Sequence, residues 1–135
     1  MSEPRSRFRY PEYEQAVAFH HALMERLGVS GSAEPDERRL RSALDRARQV
    51  TDQQGADLVS AASFLLYGLI KEQPFGERSA QTGMALTLAF LLRHGAALDV
   101  PNEEITGVSL GIAEGGVFVG MVEMWLRESI RGVRM

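Results

Sequence analysis

The sequence contains no cysteine. Disulfides, thiolate metal centres and a cysteine nucleophile are therefore excluded. Long apolar runs are also missing. The most apolar stretch, MALTLAFLL from Met84 to Leu92, has nine residues, whereas a bilayer-spanning helix needs roughly 20. The opening segment MSEPRSRFRYPEYE has no apolar core of the kind a secretory signal requires. A basic excess is absent too: the formal net charge is -3, so there is no broad cationic footprint for nucleic acid. The expectation is a cytoplasmic protein with neither membrane nor nucleic acid as partner.

What remains is ordinary for a globule. The chain has 135 residues, 44% hydrophobic and 24% charged. That length suits one domain that buries about two-thirds of its unfolded surface. Arg5, Arg7 and Arg9 mark residues 1–9 as a flexible basic arm, and residues 10–131 read as a single helical domain.

The apolar spacing is helical throughout. Pro11 suits a first helical position, with Glu12 and Glu14 in the first turn. Val17, Leu23 and Leu27 fall near one face, and Gly28 stops the helix. VSGSAEPDE is a loop. From Pro35 and Asp36 a second helix places Leu40, Ala43, Leu44, Ala47 and Val50 at i, i+3, i+4, i+7 spacing, with arginines on the other face. TDQQGAD reads as a break. A third helix from Asp57 through LVSAASFLLYGLIKE and a fourth from about Ser79 to His94 are apolar on most sides, so both belong in the centre. A fifth spans about Asn102 to Ala113 and a sixth about Val117 to Ile130. No stretch alternates clearly like a strand, although Thr51–Asp57 and Ala97–Val100 can accommodate extended chain. Met84, Met121 and Met124 read as packing residues. The expected fold is all-α: a compact bundle of about six helices with two central buried ones.

The two central helices are joined by IKEQPFGERSAQTG, Ile70 to Gly83. A helix N-terminus presents unpaired backbone N–H groups and a positive dipole end, which suit an anion if the loop lets it approach. Gly76 permits that approach. Glu77 can hold a divalent cation, since Mg²⁺ takes oxygen ligands. Ser79 can cap the helix, and Phe75 can plug the loop into the core. The same residues also suit a plain helix corner. Glu72 offers a carboxylate beside Gln73. His20 and His21 point about 100° apart on their helix and cannot serve one site together; His20 reads as a packing residue.

The stretch AASFLLYGLIKEQPFGERSAQTGMALTLAFLLRHG resembles the central segment of the Fic/Doc family, in particular its death-on-curing (Doc) branch, ungapped over about 35 positions. That branch carries His-Pro-Phe-x-Asp-Gly-Asn-Lys-Arg-Thr between two such helices. The likeness extends outward through YPEYEQAVAFHHALMERLG, EPDERRLRSALDRARQ and VPNEEITGVSLGIAEGGVFVGMVEMWLRESI, so it covers about Tyr10 to Arg131. It implies a Fic/Doc-type helical fold and a toxin–antitoxin ancestry. Family members transfer AMP or phosphate from ATP, with Mg²⁺, to a protein hydroxyl. Carried over by position, Gln73 stands at the catalytic His and Glu77 at the metal-binding acid. Pro74, Phe75 and Thr82 match. Arg78, Ser79, Ala80 and Gln81 replace Gly, Asn, Lys and Arg. Gln73 has no titratable group near neutrality, and a lost general base costs about 10²–10⁴ in rate. The resemblance implies Gly76, Arg78, Ser79, Gln81 and Thr82 as phosphate or nucleotide contacts, Glu77 as a Mg²⁺ ligand, and ATP with Mg²⁺ as possible cofactors. It implies a Doc-like domain with a degenerate motif that binds a protein partner, such as an antitoxin-like protein or a translation-related target, or a nucleotide. The alternative is a diverged but active transferase. A homo-oligomer is a further possibility. At the Gly position of the motif, Arg78 is expected either to carry a positive φ, with its guanidinium binding an anion in compensation, or to mark a differently built turn.

Overall fold

The computed structural model describes residues 8–31 and 34–131. Most of the expected arm, including Arg5 and Arg7, lies outside the described residues. Its last two residues are packed: the Phe8 ring meets Phe90 and His94 edge-on, and the Arg9 N–H donates to His94 Nε2 at 3.1 Å.

The architecture is all-α, with six helices and a single two-residue β pair among the described residues. Helix α1 spans Tyr13–Arg26, two residues later than Pro11 suggests, because Glu12 and Gln15 form a reciprocal capping box. Its buried stripe is Ala16, His20 and Met24, and Leu27 is half exposed rather than packed. Helix α2 spans Glu37–Gln54 and starts where Asp36 accepts the Arg39 N–H at 3.0 Å. Leu40, Ala43, Leu44 and Ala47 are buried as their spacing predicts. The expected break at Thr51 does not occur. Thr51 is buried inside the helix: its hydroxyl donates to the Ala47 carbonyl and accepts from Tyr10 Oη, both at 2.6 Å. Two saturated hydroxyl bonds remove the penalty that makes a polar run look like a loop.

Helix α3, Leu58–Lys71, is capped by Asp57, which accepts the Ser60 N–H at 3.0 Å. It packs on α2, α4, α5 and α6 and is the central spine. One short 3-10 turn, Gly76–Arg78, leads into α4, Ser79–Arg93. Gly83 lets α3 and α4 approach closely: a β-carbon there would stand 3.1 Å from Ile70 Cγ1 and 3.2 Å from Leu69 Cβ. Helices α5, Asn102–Glu114, and α6, Val119–Ser129, complete the bundle. Strand β1, Ala97–Leu98, pairs antiparallel with β2, Ile130–Arg131, so the second extended stretch foreseen is real and the first is not. Met84 is buried as expected, but Met121 and Met124 are exposed on α6, beside Phe118.

Among the described residues no helix is long and apolar enough to cross a membrane.

Candidate functional site

The α3–α4 turn is fixed from three sides. The Pro74 carbonyl accepts the Asp36 N–H at 2.8 Å, which joins the turn to the start of α2. Phe75 is buried and stacks on the His20 ring, with centroids 4.6 Å apart and planes at 22°. Ser79 is buried, and its hydroxyl accepts the Phe75 N–H at 3.0 Å. Ser79 therefore closes the turn beneath it. It does not cap α4, whose N-cap Arg78 makes no side-chain cap bond.

Backbone strain falls at an unexpected residue. Arg78 has φ -92 and ψ 5, an unstrained conformation, so the turn is built differently from one with a left-handed residue there. Gln73 is instead the non-glycine residue with positive φ, at 55, among the described residues. A left-handed conformation costs a side-chain-bearing residue about 1–2 kcal/mol. Gly76, at φ 60, adopts its own left-handed conformation without that cost and leaves open space beside it.

The side chains named by the sequence do not converge. Gln73 is exposed and lines a recess with Arg38, Arg39, Ser42 and Lys71. Gly76, Glu77 and Arg78 line a different cavity, with Val29, Ser30 and Gly31. Gln81 and Ala80 border a third, an apolar groove of about 470 Å³ between α1, α4 and α5. Thr82 is fully buried, and its hydroxyl sits 2.8 Å from His20 Nδ1. Neither Ser79 nor Thr82 presents its hydroxyl to a ligand in this arrangement. The Arg78 guanidinium donates to Gln81 Oε1 at 2.9 Å, so these two expected phosphate contacts bind each other.

Acid–base chemistry at the turn has few candidates. Glu72 pairs with Arg46 at 3.4 Å and is turned away from the Glu77 cavity, whose lining does not include it. His20 is sealed beneath Phe75, and its Nε2 is buried without a hydrogen-bond partner. Desolvation, aided by the neighbouring His21 and opposed by Glu34, pushes its pKa below the ordinary histidine value. His20 is therefore a neutral core residue, as the sequence suggests.

Glu77 is exposed and is the one acid among the described residues that line its cavity. Among the described residues no three His, Asp or Glu side chains form a metal-binding group. A Mg²⁺ ion held here would take one carboxylate from Glu77 and its other ligands from water and a phosphate, a coordination that this ion tolerates.

No protein-family model matches this chain, and no curated sequence matches it significantly. Sequence reasoning missed the cationic recess. Arg38 and Lys71 lie far apart along the chain, and only the antiparallel packing of α2 on α3 brings them together. An arginine pair at the start of a helix, where the dipole disfavours cations, is the signal that was present.

Proposed function

We propose that the chain is a Doc-like domain of Fic/Doc type whose transfer motif has degenerated, and that it acts by binding a protein partner or a nucleotide. The observation that carries this reading is the dispersal of the motif. Gln73, at the base position, faces one recess, while Glu77 and Arg78 face another. Phosphoryl and nucleotidyl transfer depend on positioning and on charge stabilisation, so a separated base and cation set removes both contributions. The apolar groove beside the turn supports a protein partner. It is lined by Leu23, Leu27, Met84, Ile105 and Leu110, and Leu27 and Leu110 are about half exposed. An amphipathic segment of an antitoxin-like protein has the chemistry to cover it.

Incubation with α- and γ-labelled ATP, Mg²⁺ and cell lysate tests the proposal. The expected outcome is no labelled protein. Transfer of either label to a protein would establish the second reading, a diverged active transferase. That reading draws on one feature, the exposed Glu77 carboxylate next to the open Gly76 backbone at the start of α4.

A further inference from the structure

Where α2 begins and α3 ends, Arg38, Arg39, Ser42, Lys71, Glu72 and Gln73 line a polar recess of about 570 Å³. Three cations face it and one carboxylate, in a chain whose net charge is -3. That carboxylate, Glu72, is already engaged by Arg46 at 3.4 Å. Arg39 reaches Asp36 at only 3.9 Å, and Asp36 is committed to capping α2. Arg38 and Lys71 make no ion pair among the described residues.

The placement of the two arginines is unfavourable for the fold alone, whereas Lys71 sits in the last turn of α3, at the negative end of its helix. Arg38 and Arg39 occupy the first turn of α2, beside the positive end of its dipole, where acids are stabilising and bases are not. The recess is also held in shape. The Asp36 N–H to Pro74 carbonyl bond, at 2.8 Å, clamps the start of α2 to the turn. Gln73 offers an amide from the wall of the same recess. Three cations, of which only Arg39 makes even a long ion pair among the described residues, stand with the Ser42 hydroxyl and the Gln73 amide in one depression, a donor set suited to an oxyanion.

We infer that this recess binds a small ligand bearing two or more phosphoryl charges, either free diphosphate or the diphosphate end of a nucleotide. Arg38 and Arg39 grip the oxygens in forked pairs, and Lys71 adds a point charge from α3. The site shares no lining residue with the cavity of Glu77 and Arg78. It holds whether or not the domain transfers groups, so its test is separate from the labelling experiment.

Lys71 is the only lysine in the chain. Reductive methylation with ¹³C-formaldehyde therefore gives one side-chain NMR signal in addition to that of the terminal amine, and it preserves the charge. Titration with inorganic pyrophosphate at constant ionic strength is expected to move the Lys71 signal saturably, with a sub-millimolar midpoint. Arg38→Ala weakens binding about tenfold, the loss of one charge-assisted contact. Arg78→Ala leaves the midpoint unchanged. Both arginines have solvent access, and circular dichroism confirms that each variant is folded. ADP titrated in parallel separates the two ligand sources: a matching midpoint indicates free diphosphate, and tighter binding indicates a nucleotide. A signal that does not saturate at millimolar pyrophosphate overturns the inference. So does equal binding by Arg38→Ala, or loss of binding in Arg78→Ala alone.

Discussion

His20 Nδ1 lies 2.8 Å from Thr82 Oγ1, and both side chains are completely buried. This contact ties α1 to α4 directly behind the motif turn. Thr82→Val removes the hydroxyl and leaves His20 with neither ring nitrogen paired. The expected destabilisation is about 1–3 kcal/mol, the cost of orphaning a buried polar group. Urea denaturation reads it as a lower midpoint at unchanged slope.

The same burial makes stability depend on pH. His20 has a lowered pKa in the fold, chiefly by desolvation. In the unfolded chain it takes up a proton near the usual value of about 6.5. The unfolded state thus binds more protons below that pH, and stability falls as acid is added. The contribution is complete above about pH 6.5 and is lost below it by at most about 1.4 kcal/mol per pH unit. His20→Phe is expected to flatten this part of the stability–pH curve between pH 6.5 and the onset of carboxylate titration. An unchanged slope in that variant assigns the dependence to another group.

Gln73 separates strain from chemistry. Gln73→Gly relieves the left-handed conformation and is expected to raise stability by up to about 1 kcal/mol, measured by thermal denaturation. On the function proposed above, Gln73→His places a titratable base in the turn but adds no cation at Ala80 or Gln81. No transfer of label from ATP is expected from that single change, because positioning and charge stabilisation remain missing.

Gly83 sets the distance between the two central helices. In Gly83→Ala the new methyl would press on Ile70 and Leu69 at 3.1 and 3.2 Å. Overpacking of this kind costs about 1–3 kcal/mol. Leu69 Cβ is close to its own backbone and cannot swing away, so α3 and α4 must separate. A lowered melting temperature with retained helical signal is the expected result.

Asp57 caps α3 and also receives Arg127 at 3.0 Å, while Arg127 holds Glu123 at 2.7 Å. The Arg127 hydrogen bond, followed by the Ser60 N–H, keeps the Asp57 carboxyl below its usual range. Asp57→Ala is expected to cost about 0.5–2 kcal/mol through the lost cap. Arg127→Ala, which breaks only exposed ion pairs, costs less than about 1 kcal/mol. The difference between the two, measured at neutral pH, isolates the cap.

Local signals made much of this fold legible. Asp36 and Asp57 announce helix starts by their own chemistry, and the apolar spacing of α2 and the all-round apolar character of α3 and α4 declare their depth. What escaped depended on partners distant in sequence. Thr51 looks like loop until Tyr10, from another segment, satisfies its hydroxyl. Leu27 matches a core pattern but lies on the rim of a groove that nothing among the described residues fills. Arg78 sits at a position where the motif suggests a left-handed residue, yet the positive φ falls at Gln73, in a turn that Ser79 closes by accepting the Phe75 N–H. The cationic recess required the pairing of helix ends, which no single stretch encodes.

The segment Phe8–Tyr10 rests on His94, Phe90 and Thr51, and Ile130–Arg131 pairs with Ala97–Leu98. Both ends of the described chain thus gather where α4 finishes, and the motif turn lies at the other end of that helix, 15 residues or about 22 Å away. A label on Arg9 or Arg131, both exposed, therefore stands about one helix length from the turn, and its signal reports on the far end of α4 rather than on the motif.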